Sequence, residues 1–338
     1  MLTIRLRKIA GKWFPAYAGM TFHGGNWVRI ITLFLILSTT LQAKGKIKVV
    51  TSIPDLADIA RHIGADEIET FAIARGYQDP HFVDAKPSYM IKLQRADIFV
   101  QVGLDLEIGW VPSLLEGARN KKILWGNAGY VDASRNITFL QIPRGDPAKL
   151  RAEGDIHIFG NPHYWLDPLN AKIIAENILN GLVAVSPQNE SYFRKNFLAF
   201  SRKIDESTQR WLELMRPYQG VEIYAYHNSW PYFEKRFGFK IAGFIEPKPG
   251  IPPSPKYLVK VIEQMKAKKI KIIIIEPYFS KKSAELVAKH AGAVVVELAP
   301  EVGGQPGVDD YFKLFDTNIN KLIEAFKEVG VEPKPFSN

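Results

Sequence analysis

The run Ile272-Ile273-Ile274-Ile275 is apolar at every position. A strand with one wet face alternates apolar and polar residues, so an unbroken run fits a strand covered on both faces, as in a parallel sheet flanked by helices. It sits inside a strand-like segment over 270–277, and seven others accompany it: 46–52, 67–74, 98–103 and 122–126 early, then 221–227, 240–246 and 294–298. Helical patterns separate them, over 55–63, 87–96, 255–267 and 280–291. The helix after Ser254-Pro255 carries a cap and a first-turn proline, with Leu258, Ile262 and Met265 on one face. This alternation predicts an α/β fold of two lobes, each a roughly four-stranded parallel sheet with flanking helices. Between the two sets lies a helical pattern over 189–215, where Phe193, Phe197, Phe200 and Ile204 recur at helical spacing before Trp211 and Met215. Such a helix is about 40 Å long at 1.5 Å per residue and is predicted to join the lobes as a stiff strut. The expected domains are a leader over 1–43, an N-terminal lobe over 44–186, a linker helix over 187–216 and a C-terminal lobe over 217–338.

The first 43 residues hold five basic side chains (Arg5, Arg7, Lys8, Lys12, Arg29) and no acid. An apolar run over 30–37 follows, then small and polar residues ending at Ala43. A basic flank, a run too short to span a bilayer and a small residue at the end describe a secretory signal, with 20–43 as the leader if the start is Met20. Removing those five charges takes the formal net charge from +9 to +4. The mature chain is then only mildly basic, which gives no case for nucleic acid. There is no cysteine. That excludes disulfides, thiolate metal sites, a cysteine nucleophile and the lipid-bearing cysteine of an anchored lipoprotein.

Three histidines stand in turn-forming, aromatic-flanked motifs: Asp79-Pro80-His81-Phe82, Asn161-Pro162-His163-Tyr164-Trp165-Leu166-Asp167-Pro168, and Tyr226-His227-Asn228-Ser229-Trp230. In open parallel sheets, ligands bind beyond the carboxyl ends of the strands. His81 follows the second strand, His163 lies on a loop after the fourth, and His227 ends the fifth. All three are therefore expected at one cleft between the lobes. Imidazoles delivered from separate loops suit a metal ion. Of the others, His62 and His290 read as helix residues and His23 belongs to the leader, while His157 shares the loop of His163 and is held as a spare. The five prolines within 246–255 predict a stiff, extended segment.

These motifs resemble those of the solute-binding proteins of bacterial zinc and manganese ABC importers, the cluster A-I group. The first motif is carried here by Asp79-Pro80-His81 with Pro87-Ser88, the second by Pro162 to Pro168, and the third by His227 with Trp230, Tyr232 and Phe233. A strand motif is carried by Ile275-Glu276-Pro277-Tyr278-Phe279-Ser280, and the resemblance runs over about 46–328. It implies a bilobed fold, His81, His163 and His227 as metal ligands, and an acid as the fourth. That acid usually stands where this chain has Ala299, so Glu301, two positions on, is expected instead; Glu297, Asp309, Asp310 or a water are the alternatives. Asn228 replaces a common aspartate, and the histidine-rich loop of many zinc-uptake members is missing.

Three imidazoles and a carboxylate suit Zn²⁺, whereas manganese prefers more oxygen ligands. The missing loop tempers this, and Mn²⁺ or Fe²⁺ are the alternatives. A zinc hydrolase would also need a base and a substrate pocket, and no His-Glu-x-x-His or Gly-x-Ser-x-Gly pattern is present. A receptor for a metal chelate is a third possibility. The expectation is a periplasmic, monomeric metal receptor that docks on an ABC permease.

Overall fold

The computed structural model describes residues 6–9, 12–15, 45–146, 148–149 and 157–333. The chain divides into two units, Met1–Gly45 and Lys46–Asn338. In the first, β1 (Leu6–Ile9) pairs antiparallel with β2 (Lys12–Pro15). The rest of the expected leader, including its apolar run, lies outside the described residues.

The second unit holds two four-stranded sheets, parallel throughout. The first has the spatial order β4 (Ile68–Ala72), β3 (Ile47–Thr51), β5 (Ile98–Gln101), β6 (Tyr130–Asp132). The second runs β10 (Val294–Glu297), β9 (Ile272–Ile275), β7 (Glu222–Ala225), β8 (Lys240–Phe244). Numbered within its own lobe, each sheet reads 2-1-3-4 from one edge or the other. In both, the order reverses beside the first strand, where a parallel sheet opens a ligand crevice. All four residues of β9 are buried, as their unbroken apolar run requires.

Seven of the eight expected strands form where the pattern put them. The eighth does not: Lys121–Ile123 is a 3₁₀ turn, and the fourth strand of the first sheet is Tyr130–Asp132 instead. Asn120 diverts the chain there. Its side chain accepts from Lys122 N and donates to the carbonyls of Leu93 and Ala96, which fixes a turn where the strand was expected. The true strand is three residues long and buries only Val131, too short a stretch for periodicity to register.

Helices α1 (Pro54–Gly64), α2 (Pro87–Gln94), α3 (Val111–Ala118) and α4 (Asn170–Val185) flank the first sheet. Next comes α5 (Glu190–Met215), 26 residues long, burying Phe193, Phe200, Ile204, Trp211 and Met215 along one side. Helices α6 (Pro231–Phe237), α7 (Pro255–Lys268), α8 (Lys281–Ala291) and α9 (Tyr311–Glu328) belong to the second half. Helix α7 begins as its sequence dictates, with the Ser254 hydroxyl accepting from Tyr257 N and proline in the first turn.

The C-terminal end of α5 and the turn after it pack on α9. Trp211 stacks on Phe315 of α9 at 4.9 Å between ring centres, and Tyr218 stacks on Phe326 at 4.7 Å. One continuous hydrophobic core runs from Ile47 and Val50 through Ile204 and Trp211 to Phe315 and Phe326, so the two sheets share an interior. Polar bonds cross the seam as well: Val302 N donates to Asp55 and Tyr311 N to Asp58. Gly76, just past β4, lies so close to the second half that a Cβ there would stand 2.0 Å from the Val302 carbonyl oxygen.

Candidate metal centre

In Asp79-Pro80-His81 the Asp79 Oδ1 accepts two bonds, from His81 N at 3.0 Å and from His81 Nδ1 at 2.7 Å. In Asn161-Pro162-His163 the Asn161 Oδ1 does the same, for His163 N at 3.0 Å and Nδ1 at 3.1 Å. A short side chain that closes on the backbone two residues ahead makes a turn, and the proline between fixes its φ. One oxygen thus sets both the turn and the ring. His227 gets its acceptor from farther off. It lies just beyond β7, and Glu246 lies just beyond the neighbouring β8; Glu246 Oε2 meets His227 Nδ1 at 2.5 Å.

With Nδ1 engaged by a side-chain oxygen in every ring, Nε2 is the nitrogen that can coordinate. One ligand atom from each of His81, His163 and His227 lies within 4.8 Å of the others, the one such cluster among the described residues. The ring centres are 5.3–5.8 Å apart, and all three residues are buried. His163 Nε2 is buried with no hydrogen-bond partner. An orphaned lone pair of that kind has a cost unless something else meets it. Two imidazoles come from the first half of the fold and one from the second.

Electrostatics favour the neutral, metal-ready ring at His163. Burial, and then the neighbouring imidazoles, hold it well below the usual histidine range. At His227 burial pulls the same way, but the Glu246 hydrogen bond and the Glu276 charge outweigh it and raise its proton affinity. Glu276 itself is pushed up to about 7 by burial. One of its oxygens accepts from Trp230 Nε1 at 2.8 Å, and the other is buried without a partner.

The rest of the second motif holds the loop in place. Tyr164 Oη donates to the Val102 carbonyl at 2.7 Å, and Trp165 Nε1 donates across to the Pro300 carbonyl at 2.9 Å. Asp167 takes both arms of Arg236 at 2.7 and 2.8 Å and caps the approach to α4 through Leu169 N. Asn161 also donates to the Asn228 carbonyl, so the His163 and His227 loops are directly tied.

Glu301 is fully buried, with neither carboxylate oxygen partnered. It does not belong to the three-histidine cluster. Burial, and then Asp55, keep its proton affinity well above the usual carboxylate range. Glu297, one of the alternatives, pairs with Lys281 at 2.8 Å, and Asp309 pairs with Lys313. His157 is likewise outside the group of three, but its Nε2 stands 3.1 Å from His81 Nε2. Three residues that orient the rings went unnoticed as such in the sequence: Asp79, Asn161 and Glu246. The first two were visible as the polar residue immediately before each Pro-His. Glu246 carries no local signal, being 19 residues from its histidine.

Comparisons with known proteins identify the family. The model of the family described as "ZnuA: Zinc-uptake complex component A periplasmic" matches residues 49–325. The manganese ABC transporter substrate-binding lipoprotein PsaA of Streptococcus pneumoniae is 25% identical over 302 residues, 86% of this chain and 92% of that protein. The zinc-binding lipoprotein AdcA of Streptococcus pneumoniae (strain ATCC BAA-255 / R6) is 26% identical over 317 residues, 90% of this chain and 61% of that protein. The iron ABC transporter substrate-binding lipoprotein MtsA of Streptococcus pyogenes serotype M1 is also 26% identical over 317 residues, 89% of this chain and 96% of that one. Among solved structures, a crystal structure of ZnuA superposes with a TM-score of 0.69 at 25% identity, covering 83% of this chain and 99% of that one. The match over most of the length, on a fold with two such sheets, establishes that this chain belongs to the ZnuA family of substrate-binding receptors of metal ABC transporters and is a receptor, not an enzyme.

Proposed function

We propose that the protein captures Zn²⁺ outside the cytoplasm, using His81, His163 and His227 as ligands, and delivers it to the permease of an ABC importer. The observation that carries this is the set of three buried imidazoles, each oriented through Nδ1 by a side-chain oxygen. Neutral imidazole at about 2.0–2.1 Å suits zinc, while manganese draws on more oxygen ligands. No carboxylate belongs to the cluster among the described residues, which favours zinc over the manganese and iron named for PsaA and MtsA. The family resemblance implies Glu301 as a fourth ligand, but it lies outside the three-histidine cluster and is not counted among the proposed ligands.

The leader over 1–43 would direct export to the periplasm, followed by a lobe over 44–186, a linker helix over 187–216 and a lobe over 217–338, acting as a monomer. Unlike the relatives described as lipoproteins, this sequence has no cysteine to carry a lipid. No described helix is long and apolar enough to cross a membrane.

The test is elemental analysis of protein from the periplasmic fraction, with competition titrations of Zn²⁺, Mn²⁺ and Fe²⁺. One zinc per chain, lost in His163→Ala, is expected. A chain that carries no transition metal, or a variant that keeps its zinc, would overturn the proposal.

A further inference from the structure

We infer that His157 completes the coordination sphere as a fourth imidazole, taking the place that the sequence gives to Glu301. This rests on the three-histidine receptor site proposed above. His157 Nε2 stands 3.1 Å from His81 Nε2. Two nitrogens bound to one zinc at 2.0–2.1 Å and the tetrahedral angle are about 3.3–3.4 Å apart, so the observed spacing is close to that between neighbouring ligands. Without a shared cation or proton, two imidazole nitrogens at this distance would oppose their lone pairs.

The ring of His157 lies 5.1 Å from that of His81, centre to centre, close to the 5.3–5.8 Å among the three clustered rings. His157 also lines a cavity of about 300 Å³ together with His163, His227 and Asn161.

Glu301 stands in a different relation to the cluster. It is outside the three-histidine cluster, and the loop bearing it is pinned by Trp165 Nε1 on the Pro300 carbonyl and by Val302 N on Asp55. The position where relatives are expected to offer an acid is Ala299, whose backbone N and O are both bonded to the Asn318 side chain. The usual source of the fourth ligand is therefore closed, while the His157 imidazole lines the same cavity as His163 and His227.

Four imidazoles would make the site all-nitrogen, a set that favours Zn²⁺ over Mn²⁺ more strongly than three imidazoles and a carboxylate. The experiment uses the full mature chain loaded with Zn²⁺ or Co²⁺. X-ray absorption counts the imidazoles around zinc, the visible spectrum of Co²⁺ reports its geometry, and chelator competition gives affinities. His157→Ala, Glu301→Ala and His163→Ala are compared with the parent, and metal-free melting checks that each variant folds.

The expected result is four imidazoles in the parent and three in His157→Ala. Its zinc affinity should fall by more than the roughly 10–100-fold that losing a mere partner of a ligand costs. Glu301→Ala should keep the parent's cobalt spectrum. Unchanged imidazole count and affinity in His157→Ala overturn this inference and leave the three-histidine site standing, as does a cobalt spectrum that changes only in Glu301→Ala. A parent that binds no metal, or a His163→Ala that binds as well as the parent, overturns the receptor site and this inference together.

Discussion

Asp79 and Asn161 do the same work with different chemistry, and that pairing supports a quantitative prediction. Each offers one oxygen to both the backbone N and the ring Nδ1 of the histidine two residues ahead. Asp79→Ala removes both bonds at His81, while Asp79→Asn keeps an oxygen in the same place. A hydrogen bond to a charged acceptor is worth about 1.5–3 kcal/mol, and water can partly replace it because the Asp79 side chain is 21% exposed. Losing the partner of a metal ligand typically lowers affinity about 10–100-fold, or about 1.4–2.7 kcal/mol. Asp79→Ala is expected within that range, while Asp79→Asn should lose less than about 10-fold, since an amide already serves His163. The reverse swap, Asn161→Asp, should hold or slightly raise affinity, because a carboxylate makes the imidazole more basic. Chelator competition for Zn²⁺ at pH 7 measures all three. Equal losses in the alanine and asparagine variants would refute the claim that one accepting oxygen, and not its charge, sets the ring. An unchanged affinity in Asp79→Ala would refute the role of the turn altogether.

Ligand binding should stabilise the fold by mass action: free zinc at about 1,000 times its dissociation constant adds about 4 kcal/mol. Calorimetry should show a raised Tm that is absent in His163→Ala. Glu107, buried beside the first sheet and accepting from Val102 N and Gly103 N, is raised by burial from 4.5 to about 7. Its contribution to stability is therefore complete below about pH 4.5 and is lost as pH rises through about 7. Urea melts of the metal-free protein at pH 5, 7 and 8 should show this loss, and Glu107→Gln should reduce the slope by at most about 1.4 kcal/mol per pH unit; an unaltered slope would remove Glu107 as its source. Gly76→Ala should lower the Tm, since its Cβ would collide with the Val302 carbonyl, and a wild-type Tm would mean that the seam can shift. Scattering with and without zinc should change the radius of gyration by no more than a few per cent.

Most of the scaffold was legible because its signals are local and repeated. The all-isoleucine β9, the Ser-Pro start of α7 and the phenylalanine stripe of α5 each state their structure within a few residues. Strand β6 was not legible, since three residues with one buried side chain carry no period, and the turn upstream depends on Asn120 reaching carbonyls about 25 residues away. The three clustered histidines were readable from their turn motifs and from the strand ends that deliver them. The partner of His227 was hidden, because Glu246 arrives only through the pairing of β7 with β8. The surroundings of Glu301 were hidden for the same reason, being set by Asp55 of α1, nearly 250 positions earlier in the chain.

Helix α5 and the interior it shares with both sheets bear on how an ion would leave. Swinging the halves apart would break the bonds of Val302 N to Asp55 and Tyr311 N to Asp58 and open the shared interior to water. Motion confined to the short connections that carry the imidazoles would leave that interior closed. Cargo release would then resemble undoing a clasp.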